Sequence, residues 1–207
     1  MSDGLVSLIS VLAIAIIVVR RRTVAIGLLA AQSLVLGIGA LSLSGDRSSE
    51  YLTAAVVLLT KAVVVPLLLY SLIRRTPEPR LVVAPTGPLV RLSVAVALAI
   101  CAGVLMPSLG LGSGEIHTER AAVALVLVGI AIVVMRRPTL FQLLGLIVAE
   151  NGVALLAVSV PGGLSYVVEL GALFDLAVVV AVAAAFAQRI HAEFGSGDTE
   201  LLRGLRD

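Results

Sequence analysis

Four ionisable side chains lie inside apolar runs of this 207-residue chain: Lys61, Glu150, Glu169 and Asp175. Lys61 sits in LLTKAVVVPLLL, Glu150 in LIVAENGVALLA, and the two other carboxylates in VVELGALFDLAV. Burial disfavours a charged form, so a buried carboxylate holds its proton more tightly and a buried ammonium less tightly. A spaced series of such groups across a membrane is the chemistry of a proton relay. The same residues would also serve as a lysine–carboxylate pair that only holds helices or subunits together. Three further polar residues support either role. Asn151 can hydrogen-bond the partner of the neighbouring carboxylate or a water. Gln32 lies within an earlier apolar run, and His191 stands where a proton would meet the inner mouth of such a path, or simply where a boundary residue meets solvent.

The surroundings of these residues are what a membrane requires. The chain is 59% hydrophobic and 14% charged, with a mean hydropathy of +1.13. A soluble domain is about 45–50% apolar and about 25% charged. The apolar residues fall in long blocks without period-two alternation, which points to spanning helices and away from a membrane β-barrel. The net charge of +2 does not suggest nucleic acid as a partner. A single cysteine, Cys101, excludes an internal disulfide and a cysteine-ligated cluster, and reads as a small buried apolar residue. There is no CxxC, no histidine pair at metal spacing, and no nucleophile with a base. GLGSG at 110–114 has no strand before it. The chain therefore reads as having no catalytic site, metal or cofactor of its own.

A hydrocarbon core takes about 20 helical residues. The pattern predicts an all-α, polytopic protein with seven spans near 4–19, 23–43, 51–73, 89–107, 119–135, 139–160 and 164–187. Asp3 precedes the first run and Arg20, Arg21 and Arg22 follow it, the reverse of a signal peptide, so the first run is read as a retained helix. Residues 1–75 hold helices 1–3, 76–88 a proline-rich cytoplasmic linker, 89–118 helix 4 and an outer loop, 119–189 helices 5–7, and 190–207 a cytoplasmic tail. Twelve arginines, among them Arg20, Arg91, Arg136 and Arg189, fall on one side of these spans, and only Arg47 and Arg120 on the other. The positive-inside rule then puts the N-terminus outside and the C-terminus in the cytoplasm of a multi-pass cell-membrane protein.

LAIAIIVVRRRT at 12–23 matches VGIAIVVMRRPT at 128–139 at seven of twelve positions, including the arginine pair and the threonine. This reads as a parallel repeat of helices 1–3 and 5–7, with Gln32 opposite Glu150 and Lys61 opposite Asp175 after small register shifts. Helices 6 and 7 are joined only by PGG, which predicts a tight hairpin. Glu150 and Asp175 then lie at similar depth, roughly 15 Å from the turn, with Glu169 about 7 Å nearer the outer surface. Asp175 then faces Lys61 while Glu169 faces Glu150, or the reverse, unless a partner subunit meets two of these charges. Gly145, Ala149 and Gly152 form a small-residue face on helix 6 where a docked neighbour would also shield Glu150 and Asn151. Pro66, five residues after Lys61, frees a carbonyl one turn earlier.

FQLLGLIVAENGVALLAVSVPGGLSYVVELGALFDLAVVV resembles the C-terminal half of hydrogenase-4 component E proteins, the formate hydrogenlyase-type membrane subunits. LLTKAVVVPLLLYSLIRR and AAQSL at 30–34 are similar to that family's lysine segment and early helix. The resemblance implies a subunit of a complex I-like, nickel–iron hydrogenase-type assembly, seated beside antiporter-like subunits. Its last three helices are similar to the small three-helix subunit of complex I and of multisubunit cation/proton antiporters. By that likeness Glu150, and less directly Glu169, match that subunit's intramembrane glutamates. Iron–sulfur and nickel centres would belong to other subunits, making this a non-catalytic subunit of an oxidoreductase complex. A purely structural assembly subunit and an independent small cation/proton transporter are the alternatives, and protons are not distinguished from Na⁺.

Overall fold

Helices begin and end where the chemistry of the sequence changes. The computed structural model describes residues 2–42, 56, 58–67, 69–70, 86–107, 116–136 and 139–159, and all the regular structure among them is helical. The described helices are α1 (Asp3–Val18), α2 (Arg22–Ser42), α3 (Leu58–Leu67), α4 (Pro88–Leu105), α5 (Ile116–Met135) and α6 (Thr139–Ser159). Four of them, α2, α4, α5 and α6, are long and apolar enough to cross a membrane. The first, second, fourth, fifth and sixth runs read from the sequence match these helices to within a few residues. The expected seventh span, with the 76–85 part of the linker and the 190–207 tail, lies outside the described residues.

The ends of α1 and α4 show why the chain breaks there. Asp3 puts an acidic group in the first turn of α1, where it complements the helix dipole. Val19 is extended (φ −61°, ψ 135°), and α2 begins only three residues later, so α1 and α2 pack as a hairpin. Gly87 precedes α4 and Pro88 opens it, where a missing N–H costs nothing. Pro107 then pushes Met106 into an extended conformation that ends it.

Arginines close the exposed carbonyls at these ends. Arg91 Nη1 of α4 donates to Ile17 O (3.2 Å), and Arg136 Nη2, just after α5, donates to Val19 O (2.7 Å). The Arg136 guanidinium also stacks on Phe141, 3.5 Å from the ring centroid. At the opposite end Arg120 Nε of α5 donates to Met106 O of α4 (3.1 Å). A helix leaves its last carbonyls without intrahelical donors, and a cationic donor there also meets the negative end of the dipole. Arg91 and Arg136 are each 1% exposed, so their part in the fold exceeds that of a topological marker.

α5 and α6 share the most extensive interface, and their backbones touch. A Cβ at Gly129 would lie 2.6 Å from Ala149 N and Gly145 O, and one at Gly152 would lie 2.7 Å from Ala122 O. Such small-residue seams let van der Waals contact replace the hydrophobic drive that lipid removes. The small face of α6 therefore receives α5, and Glu150 and Asn151 are shielded by other helices, which corrects the expectation that one neighbour would do both. α6 also packs on α2, and α1 packs on α2, α4 and α5. The core runs through Ile9, Ile16, Leu29, Leu36, Leu125, Ile132 and Leu155.

Of the four long helices α6 is the most buried and α4 the least. The outward face of α4 carries Leu89, Val90, Ile100, Val104 and Leu105, an apolar surface suited to lipid. Cys101 is on this exposed face, so the reading of it as a buried core residue is wrong. Periodicity failed there because a lipid-facing position is as apolar as a core one.

Candidate functional site

The middles of α1, α2 and α6 meet at one level. Ile9 lies near the centre of α1, Gln32 and Ser33 at the centre of α2, and Glu150 and Asn151 at the centre of α6. α3 joins them through Leu59, whose side chain packs where a Cβ at Gly37 would come within 2.9 Å of it. Gly37 stands one helical turn past Ser33, and Lys61 stands two residues past Leu59. This seating of α3 on α2 brings the lysine to α6.

Lys61 Nζ forms an ion pair with Glu150 Oε1. The two side chains are only 10% and 8% exposed. A single charge at mid-bilayer costs about 2.5–3.5 kcal/mol on insertion scales, and an opposite charge in contact offsets part of that. Pro66 is contained within α3, and Lys61 meets the carboxylate of α6.

The amides form a second, adjoining network. Gln32 Nε2 donates to Ile9 O (3.2 Å), and Asn151 Nδ2 donates to Gln32 Oε1 (3.2 Å) and to Ser33 Oγ (3.1 Å). Gln32, Ser33 and Asn151 are all buried. Gln32, aligned with Glu150 in the repeat register, thus bonds the residue next to it in the chain. Of the seven residues singled out from the sequence, Lys61, Glu150, Asn151 and Gln32 come together here. Glu169, Asp175 and His191 lie outside the described residues.

Sequence reasoning missed Ser33 and the Ile9 carbonyl. Ser33 directly follows Gln32 in an apolar run, which was an available signal; a backbone carbonyl leaves none. Thr118 and Glu119, buried near the start of α5, were also passed over because they border a loop. Among the described residues no group of three or more His, Cys, Asp or Glu side chains is placed to hold a metal ion. An ion pair of this kind can pass one proton between its members, converting two charges into two neutral groups without changing the net charge of the site.

Comparison with known proteins adds one full-length likeness. The chain is similar to hydrogenase-4 component E. That protein from Escherichia coli and from Shigella flexneri is 28% identical over 208 residues, 99% of this chain and 96% of theirs. The uncharacterized protein Rv0085 of Mycobacterium tuberculosis is 32% identical over 105 residues; the match takes in 50% of this chain and about half of that protein's length, 48%. No family model matches the chain, and no solved structure matches it significantly. The full-length similarity takes in all four residues of the site. With the four long apolar helices, it supports a membrane location for the chain.

Proposed function

We propose that this chain is a non-catalytic membrane subunit of a complex I-like, nickel–iron hydrogenase-type respiratory complex, and that the Lys61–Glu150 pair lies on its proton or Na⁺ path. The observation that carries the reading is the pair itself: two ionisable groups held together inside the helix bundle, at the middle of α6 and beside a buried amide network. Charges at that depth are costly and mark ion or proton routes in membrane proteins. The similarity to hydrogenase-4 component E supports a place among other subunits of such a complex, and in this reading antiporter-like subunits lie beside it. In this reading seven helices cross the cell membrane with the N-terminus outside, Glu169 and Asp175 continue the path, and His191 serves its cytoplasmic mouth. Nickel and iron–sulfur centres would belong to other subunits.

Glu150→Gln in the intact complex tests it. Proton translocation per turnover should fall when it is normalised to the amount of complex assembled on a native gel, which the unpaired Lys61 will lower. Normal translocation per assembled complex would sink the proposal. The same pair also favours a second reading, in which Lys61 and Glu150 serve assembly alone. That reading expects Glu150→Gln to reduce the amount of complex while leaving translocation per complex intact. Flux of protons or Na⁺ through the purified chain alone in liposomes would instead favour an independent transporter.

A further inference from the structure

The amide network has a direction set by chemistry. A backbone carbonyl only accepts, so Gln32 must turn its Nε2 toward Ile9 O. Its Oε1 then faces Asn151, and Asn151 must answer with Nδ2, whose second hydrogen reaches Ser33 Oγ. Asn151 is 1% exposed and its rotamer is thereby decided from α1, two helices away. The remaining atom, Asn151 Oδ1, is a buried acceptor that no donor among the described residues meets. A buried amide oxygen without a donor is costly, and a neutral donor of water size removes that cost.

We propose that Gln32 is a positioning residue that holds the Asn151 amide so that Oδ1 binds a buried water beside the Lys61–Glu150 pair. The role of that water in proton transfer rests on the proposed function; its binding and the locking of the amide do not.

Asn151 is the only asparagine in the chain, so labelled asparagine reports on this site alone. The full chain, labelled with asparagine carrying ¹³C at Cγ and placed in lipid bilayers, should give one side-chain carbonyl resonance by solid-state NMR. That resonance should receive polarisation from water protons. Gln32→Leu removes the anchor and should move the resonance and change the transfer. Gln32→Glu, recorded at a pH low enough to protonate the new carboxyl, can donate its O–H to Ile9 O while its carbonyl oxygen accepts from Asn151, and should restore the wild-type shift. No transfer from water in the wild-type protein overturns the water site, and that measurement needs no variant. A Gln32→Leu spectrum identical to wild type, or a Gln32→Glu spectrum identical to a disturbed Gln32→Leu one, overturns the positioning role. If these signals appear as expected while Glu150→Gln translocates normally, the hydration site stands and the transport reading falls.

Discussion

The Lys61 ammonium on α3 and the Glu150 carboxylate on α6 pair inside the helix bundle, each nearly out of contact with its exterior. The pair ties α3 to the most buried of the long helices. Charge cost and packing are therefore coupled: either partner alone would leave a charge at a depth where neither lipid nor core solvates it.

Removal of one partner should accordingly be worse than removal of both. Lys61→Met is expected to destabilise the folded chain by about 3–5 kcal/mol, the usual cost of leaving a buried charge without its mate. Replacing Lys61 and Glu150 together by methionine should recover most of that loss. Thermal unfolding in detergent, followed by circular dichroism, measures both. A single variant as stable as wild type would show that the pair contributes nothing to the fold.

The α5–α6 seam makes a second prediction with an internal control. A Cβ on Gly145 would meet Gly129 O at 2.7 Å and Ile132 Cβ at 2.9 Å. Backbone cannot retreat as a flexible side chain can, so Gly145→Ala should force the helices apart and cost about 1–3 kcal/mol, as overpacking does. Gly103, also helical, has nothing within 4 Å of its Cβ position. Gly103→Ala should be neutral or slightly stabilising, since alanine restricts the unfolded chain. Equal loss of melting temperature in the two variants would mean that the seam is looser than this packing requires.

Much of this arrangement was legible in the sequence, and the part that was not has a common cause. Hydropathy blocks and the breaks at RRR and RRP located five of the described helices, and the polar interruptions located Lys61, Gln32, Glu150 and Asn151 at their depths. Depth along a helix follows from 1.5 Å per residue. Which helix stands opposite does not, because azimuth is defined only relative to neighbours whose order in the membrane is unknown. The partner of Lys61 was therefore left open among several groups, and Gly145 and Glu150 were assigned to one neighbour when α5 and α3 share the task. The arginines carried two signals at once. Their uneven distribution spoke of topology, while the carbonyls of Ile17 and Val19 that Arg91 and Arg136 satisfy leave no trace in residue type.

Arg136 should resist conservative replacement. Its Nη2 donates to Val19 O while its plane stacks on Phe141. Lysine keeps the charge and one possible donor but loses the planar stack on Phe141. Arg136→Met should destabilise by about 1.5–3 kcal/mol, the usual worth of a hydrogen bond to a charged group, and Arg136→Lys by about 0.5–1 kcal/mol, the usual worth of the lost stack. Unfolding midpoints compared at one detergent concentration would check this. A lysine variant with wild-type stability would reduce Arg136 to a point charge at the end of α1.

Cys101 offers a measurement of where α4 sits. It is the only cysteine in the chain, so a spin label attaches there without background mutations. Its side chain faces outward from α4, on the helix surface shared with Val104 and Leu105. If that surface meets acyl chains, apolar oxygen should collide with the label more often than a water-soluble nickel chelate does. Hydrocarbon concentrates the first and excludes the second. The protein in bilayers should thus show an oxygen-dominated relaxation of the label, and the ratio should reverse when the label is moved by mutation to Arg21 at the exposed α1–α2 turn. A chelate-dominated response at Cys101 would place this face of α4 in water and remove the helix from the set of membrane spans.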